Sequence, residues 1–259
     1  MAEDCAAGRR LGWSEFVRDY GEITRSLLLH FFPVLQPDIA EHVAGVFQRG
    51  RINDNTWFKG LKFANEREFM MSFRDLLFAY GREHARIPVP ELSLDQMREI
   101  MKDLNVVERE VLWLYVKGYT AEQIAPIMSN AEATSRAVKQ VADERLAQVL
   151  PAATRDAFNI SARVLIEAAE KAGTPECLPW KTFNNIINGQ VSWREREVAE
   201  AHIKECFHCI DRFTSFQEMI QWRKTAPPWP QEQVDPVLAK LQLPAEKSRG
   251  LLGRILARS

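Results

Sequence analysis

Apolar residues recur every three or four positions along most of this chain, which is the spacing of one face of an α-helix. Residues 13–32 show this pattern first, and Pro33 ends it because proline cannot continue a helix. The pattern returns over residues 39–50, where Asp38 is placed to cap a helix, and again over residues 66–86. The aromatic side chains at these spacings are expected in the core: Trp13, Phe16, Phe31, Phe69 and Phe73. The pattern predicts an all-α protein that begins with three helices.

Residues 96–150 predict a helix-turn-helix unit, which follows a proline-containing linker at residues 87–95. A first apolar helix stops at Gly118, and Thr120 with Gln123 forms a capping box that opens the next helix. A polar turn then precedes a longer helix. The buried side of this longer helix is predicted to carry Ala137, Val138, Val141, Leu146, Val149 and Leu150.

Three of the four cysteines lie close to a histidine in a pattern typical of metal ligands. His202, Cys206 and Cys209 are spaced i, i+4 and i+7, so on one continuous helix their side chains share a face. Cys177 lies upstream on an earlier helical segment. Imidazole and thiolates are the ligands that zinc prefers, and four of them complete a tetrahedral site. The pattern predicts a helical hairpin stapled at one end by one Zn²⁺ ion.

The main alternative is that these residues are buried free thiols, because cysteine also packs as a small hydrophobic side chain. His208 is a reserve ligand, but it faces away from the others on an ideal helix. Four protein ligands leave no open position for water, so a catalytic zinc is disfavoured and no enzyme activity is predicted. The remaining cysteine, Cys5, is expected in a mobile N-terminal tail without a role in the site.

Residues 176–222 resemble the zinc-binding anti-sigma domain of bacteria. The similarity rests on the four candidate ligands and on the turn at Asn188 that separates two helices. The resemblance implies a domain that clasps a sigma factor and holds it away from RNA polymerase. It also implies that the zinc is either structural or sensitive to oxidation of Cys206 and Cys209.

Residues 13–150 resemble an extracytoplasmic-function sigma factor. Residues 104–150 are similar to the domain that reads the upstream promoter element, and residues 37–51 to the helix that grips the polymerase clamp and the lower promoter element. At the acidic and Gln-Glu positions usual in that helix, this chain carries Ala44 and Gly45. The substitution removes polar contacts to polymerase that the resemblance would otherwise imply.

The polar face of the last helix in the helix-turn-helix unit is the candidate DNA-binding surface. Its members are Thr134, Ser135, Arg136, Lys139 and Gln140. A solvated face is the equal alternative, because the basic residues of this helix are matched by acidic ones and attract phosphate weakly. Pro126 lies inside the preceding helix, where it lowers stability. Three further arginines are weighed as DNA contacts, with a solvated face favoured: Arg74, Arg82 and Arg86.

The formal net charge is −1, so no global basic field drives nucleic-acid binding. Few cysteines, clustered as ligands, are typical of a protein in the reducing cytoplasm. No apolar run approaches the length of a membrane span. A basic amphipathic tail is expected to dock on protein and is too short for stable membrane anchoring. This tail carries Arg249, Leu251, Leu252, Arg254, Ile255, Leu256 and Arg258.

These patterns predict a cytoplasmic bacterial transcription regulator. The predicted order is a sigma-like N-terminal domain (1–86), a linker (87–95), a helix-turn-helix domain (96–150), a linker (151–175), a zinc-binding anti-sigma-like domain (176–223), a Pro-rich linker (224–236) and the amphipathic C-terminal tail (237–259). The expected partners are core RNA polymerase and promoter DNA. The zinc hairpin and tail are expected to bind within the chain or to a regulatory protein. The rival hypothesis is a degenerate sigma-like adaptor that binds another regulator and does not recruit polymerase.

Overall fold

The computed structural model describes residues 1–63, 65–85, 93–129, 132–149 and 165–243. Over these ranges the chain is helical and forms no β-strand, as the apolar spacing predicts. The α-helices are, in chain order, α1 (Ala2–Ala6), α2 (Arg10–Phe31), α3 (Ile39–Gly60), α4 (Glu66–His84), α5 (Leu94–Met101), α6 (Val106–Val116), α7 (Ala121–Met128), α8 (Glu132–Val149), α9 (165–171), α10 (Trp180–Ile187), α11 (Trp193–Glu205), α12 (Phe207–Thr225) and α13 (Gln231–Lys240). A 3₁₀ turn, Pro33–Asp38, joins α2 to α3.

Helices α2, α3 and α4 pack around an aromatic core, and the five aromatics predicted there are all buried. The Phe16 ring lies at its centre, with its centroid 5.2 Å from the ring centroids of Phe47 and Phe73. These edge-to-face contacts stabilise the block beyond the burial of apolar area. Helix α3 begins where predicted but extends past Gly50 to Gly60, because its last turns bury Phe58 against the same core.

The expectation that Cys5 lies in a mobile tail is wrong. Cys5 is in α1, which packs on α2 and α3, and its side chain is fully buried. Helices α1 and α2 approach closely at Gly12, where a Cβ atom would come within 2.3 Å of the Cβ of Asp4. The start of the described chain is therefore part of the N-terminal core.

Helices α5 to α8 supply the helical segments predicted for residues 96–150, and their apolar side chains belong to the same continuous core as those of α2–α4. The capping box of Thr120 and Gln123 opens α7 as predicted, and Gly118 adopts a positive φ of 87° that favours glycine. On α8 the predicted buried side is correct at Val138 but wrong at Ala137 and Val141, which are exposed. Helix α8 packs on α5, α6 and α7, and these contacts bury Ser135 and Val138, so the burial follows tertiary contact and not the apolar pattern. The side chains of Leu146, Val149 and Leu150 lie outside the described part of the chain.

Helix α12 contacts both preceding groups of helices, which we call the block α2–α4 and the block α5–α8. It packs against α4 on one side and against α6 and α7 on the other, while α11 contacts both α6 and α12. Helix α13 returns to the N-terminal block and packs on α2 and α3. The C-terminal third of the described chain therefore contacts both blocks that precede it.

Two segments predicted as linkers contain helices. The predicted linker 151–175 contains α9, whose Leu165, Ile166 and Ala169 are buried. The predicted linker 224–236 contains the end of α12 and the first turns of α13. Pro230 is compatible with α13 because it lies at the N-cap, where the N–H that proline lacks is not needed for a helical hydrogen bond. The basic and apolar tail residues from Arg249 onward lie outside the described residues.

Candidate metal centre

The four predicted ligands converge on one point. One donor atom from each of Cys177, His202, Cys206 and Cys209 lies within 4.8 Å of the other three. The sulfur atoms of Cys177 and Cys206 are 3.7 Å apart, close to the separation of two thiolates that bind one tetrahedral zinc at about 2.3 Å each. The prediction that these residues come together as one potential metal site is confirmed, and the donor set is compatible with a single zinc ion.

The ligands do not share one continuous helix, and that part of the prediction is wrong. Helix α11 ends at Glu205, Cys206 has an extended backbone with φ −104° and ψ 108°, and α12 begins at Phe207. In an unbroken helix the separation of seven positions between His202 and Cys209 would correspond to a rise of about 10 Å, which is too far for two ligands of one ion. The break at Cys206 removes this constraint, so the donor atoms can converge.

Backbone N–H groups hold two of the sulfur atoms in place. Cys177 lies in the turn between α9 and α10, where the N–H of Thr174 donates to its Sγ at 3.2 Å. The N–H of Leu178 donates to the Sγ of Cys209 at 3.3 Å. Such outer hydrogen bonds orient metal-bound thiolates and offset part of their negative charge.

The His202 ring supplies a second, independent sign of a metal ligand. Its Nε2 atom is buried and has no hydrogen-bond partner within the described residues. A buried polar atom without a partner is costly, and a bound cation would satisfy it. Buried free thiols alone would not account for this nitrogen, so the observation favours the metal site over that alternative.

The three thiols have different proton affinities. Burial works to raise the pKa of Cys177, but the hydrogen bonds from Thr174 outweigh it and hold the pKa below its usual value. Burial raises the pKa of Cys206 and that of Cys209. Thiolates are the form that binds metal, so a bound cation would release protons from these residues.

His208 does not take part in the cluster, as its predicted orientation indicated. Its Nδ1 atom donates to the backbone oxygen of Glu170 at 3.0 Å, on the α9 side of α12. The ring lies against Gly173, where a Cβ atom would come within 2.8 Å of it. His208 therefore anchors the segment that leads into the Cys177 turn.

The structure divides the five candidate DNA-binding residues. Thr134, Arg136, Lys139 and Gln140 are exposed, but Ser135 is buried beside Tyr115, so its side chain does not belong to the exposed face. Three of the exposed side chains have partners within the protein. Arg136 pairs with Glu122, Gln140 donates to Glu144 at 3.1 Å, and the Lys139 ammonium lies 5.8 Å from the centroid of the Tyr115 ring. The face is a mixed polar surface, and Ser135 is a correction to its membership.

Sequence reasoning missed a buried network of charged groups on α12. The ammonium group of Lys117 lies 3.3 Å from Asp211 and 3.3 Å from Glu218, and it donates to the Ser215 hydroxyl at 2.7 Å. Arg74 on α4 donates to the other oxygen of Glu218 at 3.0 Å. These charged side chains are almost completely buried. One available signal was the polar spacing of residues 211, 215 and 218, which is i, i+4 and i+7 on one helix face.

Of the three arginines weighed as DNA contacts, the structure describes two, and both contact acidic side chains of the protein. Arg74 is buried, and the solvated-face expectation is wrong for it because Glu218 and Asp211 compensate its charge. Arg82 donates to Glu170 at 2.5 Å, which ties α4 to α9. Arg86 lies outside the described residues. In this conformation Arg74 serves the contact between helices and not a nucleic-acid surface.

None of the helices that the structure describes has both the length and the apolar character needed to cross a membrane. Comparison with protein-family models, with curated proteins and with solved structures finds no match to this chain. The geometry of the metal cluster and of the buried network is therefore the basis for the functional argument.

Proposed function

We propose that this chain is a bacterial transcription regulator in which a zinc-binding unit holds a sigma-factor-like module closed. The order of the helices supports the proposal, because the metal-bearing α10–α12 follow the blocks α2–α4 and α5–α8. In this proposal the first two blocks bind core RNA polymerase and promoter DNA. One structural Zn²⁺ folds the third unit, and the protein is a cytoplasmic regulator without enzyme activity.

The observation that carries the proposal is the position of α12. Its first turn bears Cys209, and its middle turns bear Asp211 and Glu218, which pair with Lys117 after α6 and with Arg74 on α4. Moving either block away from α12 would leave charges on α12 buried without their partners, which is strongly unfavourable. The helix that begins at the metal cluster therefore also holds the two blocks together.

Helix α13 supports the same proposal from the other side. It lies on α3, the helix that resembles the polymerase-binding helix of sigma factors. Gln48 donates to the backbone oxygen of Lys240 at 3.0 Å, and Arg51 donates to that of Gln242 at 3.1 Å. The Trp229 ring packs on Gly21 of α2, where a Cβ atom would come within 2.4 Å of it. In the closed form this face of α3 is covered.

The zinc acts as a structural element in this proposal. The four ligands come from the turn before α10, the end of α11, the break at Cys206 and the first turn of α12, so a bound metal ties these segments together and adds its binding free energy to folding. Tetrahedral coordination also protects thiolates from oxidation. A redox-sensitive site remains the finer alternative, and the measured zinc content after mild oxidation distinguishes the two.

Co-purification with core RNA polymerase tests the proposal. Leu238 of α13 is buried and its neighbour Ala239 is exposed, so Leu238→Asp should release α13 from α3 while Ala239→Asp should not. We expect Leu238→Asp to increase polymerase binding at least tenfold over the wild type, and Ala239→Asp to leave it unchanged. Promoter DNA, added at several salt concentrations, should bind the opened complex with a salt-dependent affinity.

If no form of the protein binds polymerase, the adaptor is the better interpretation. One observation favours this second candidate. Ala44 is buried, and a Cβ atom at Gly45 would come within 2.3 Å of the Tyr80 hydroxyl, so Gly45 allows the close packing of α3 on α4. An adaptor would use its helical surfaces to bind another regulator and would not need polar groups at these positions.

A further inference from the structure

A cavity of about 370 Å³ lies where the helix-turn-helix unit meets the zinc-binding unit. It is bounded by α6 and α7 on one side and by α10, α11 and α12 on the other. Its volume is within the range of small-molecule sites, which commonly lie between structural units. Its apolar walls include Val106, Ile127, Ile187, Ile203, Phe213 and Ile220.

The cavity lining contains two cations, Arg196 and Lys224, and two buried hydrogen-bonding side chains, Glu110 and Gln217, that form no ion pair with either cation in the described part of the chain. Glu110 of α6 lines the cavity and is 5% exposed, and the neutral amide of Gln217 is its hydrogen-bonding neighbour. The Oε1 atom of Gln217 is itself buried and has no partner within the described residues. Arg196 lines the same cavity, but its Nε donates to Glu200 at 2.7 Å.

The electrostatics of Glu110 contrast with those of the other buried acids. Asp211 and Glu218 each have a Lys117 or Arg74 nitrogen close by, whereas in the described part of the chain no lysine or arginine nitrogen lies within 4 Å of the Glu110 carboxylate. Burial raises the pKa of Glu110 to about 8. A buried acid and an orphaned amide oxygen that face one cavity indicate where ligand donors are missing.

We propose that this cavity binds a small primary amine attached to an apolar body. The ammonium group donates to the Glu110 carboxylate and to the Oε1 atom of Gln217, and the apolar body packs against Ile203 and Phe213. The ligand satisfies both acceptors at once, and a neutral ligand of the same shape lacks the charge to do so. No bond is made or broken in this binding step.

The site adds a ligand to the regulator and does not depend on polymerase binding. Its walls come from both units, so an amine bound there stabilises the arrangement in which α6 and α7 lie against α10–α12. In the closed form such a ligand acts as a co-repressor. The binding itself is measured without polymerase, so its failure and the failure of the proposed function are separate outcomes.

The test is calorimetry of the full-length zinc-loaded protein with two matched probes, 2-phenylethylamine and 2-phenylethanol. We expect the amine to bind at least tenfold more tightly than the alcohol. Its affinity should rise between pH 6 and pH 8, because the Glu110 carboxyl loses its proton over this range. The other charged groups that line the cavity are Arg196 and Glu200 on α11 and Lys224 on α12.

Three variants locate the binding. Glu110→Gln should weaken the amine at least tenfold and leave the alcohol unchanged, whereas Glu99→Gln, at an exposed position of α5, should change neither. Val107 is 44% exposed at the cavity, so Val107→Trp should block entry of both probes without disturbing the core. Equal affinity for the two probes, no binding of either at millimolar concentration, or unchanged amine binding by Glu110→Gln would overturn the proposal.

Discussion

Two regions along α12 stabilise the protein by different physical means: the metal cluster at its N-terminal end and the buried charge network along its middle turns. At its start, Cys206 and Cys209 belong to a four-ligand cluster whose donors repel or stay protonated until a cation joins them. Further along the helix, Asp211 and Glu218 are already compensated by Lys117 and Arg74. The first region depends on an ion from outside, and the second is complete within the chain.

This difference shows why one region suits regulation and the other suits assembly. Loss of the ion removes the stabilisation of the metal cluster and leaves every covalent and packing contact of the network intact. A buried network is weak evidence for high stability, but removal of one partner is strongly destabilising because it strands a buried charge. We therefore expect the metal cluster and the charge network to respond to different perturbations.

The largest effect is expected at the network. Lys117→Met removes the cation that faces Asp211 and Glu218 and should lower the free energy of unfolding by about 3–5 kcal/mol. Urea denaturation measures the loss, with Lys181→Met at an exposed position of α10 as the matched control. A loss no larger than that of the control would show that the network does not hold the two blocks together.

Removal of zinc is expected to have a smaller effect that is confined to one end. At a free zinc concentration 100-fold above Kd, the metal stabilises the fold by about 2.7 kcal/mol, and chelation removes this amount. Cys206→Ala should lose the one zinc ion per chain, whereas Cys5→Ala, a buried cysteine outside the cluster, should retain it.

Hydrogen exchange then separates the two regions directly. In the zinc-free protein, amides around Cys177 and His202 should exchange faster, while those near Ser215 should stay protected by the network. Uniform exchange along the whole of α12 would show that the metal and the network form one cooperative unit. Unchanged metal content in Cys206→Ala would contradict the zinc assignment.

The smallest effect is expected at the contact of α13 with α2. Gly21→Ala places a Cβ atom within 2.4 Å of the Trp229 ring, which must move away. The gain in helix propensity, up to about 1 kcal/mol, offsets much of the lost contact, so global stability should change by less than about 1 kcal/mol. Faster amide exchange confined to α13 is the expected signature.

Gly50→Ala is the matched control for this variant. Its Cβ atom would meet the nearest side chain, that of Leu76, at an ordinary 3.5 Å, so the exchange of α13 should not change. If Gly21→Ala also leaves α13 protected, the Trp229 contact does not hold this helix in place. Amide exchange around the metal cluster and around the charge network should not change in either variant.

Local patterns predicted much of the helical structure. The apolar spacing and Pro33 predicted α2, and the capping box at Thr120 predicted the start of α7. Such signals act within one or two helical turns, so they can be read from neighbouring residues. The helix break at Cys206 carries no comparable signal, because it is favoured by convergence of the ligands and not by local preference.

The amino-acid sequence alone determined that the chain is helical and that Cys177, His202, Cys206 and Cys209 form a potential metal site, since ligand type and spacing are local properties. Only the tertiary structure decided that Arg74 is buried, that Ser135 leaves the polar face of α8, and that Glu110 is buried at a cavity between helices. Arg74 and Glu218 are 144 positions apart. A charge compensated over that separation has no local pattern, because its partner is chosen by packing between distant helices.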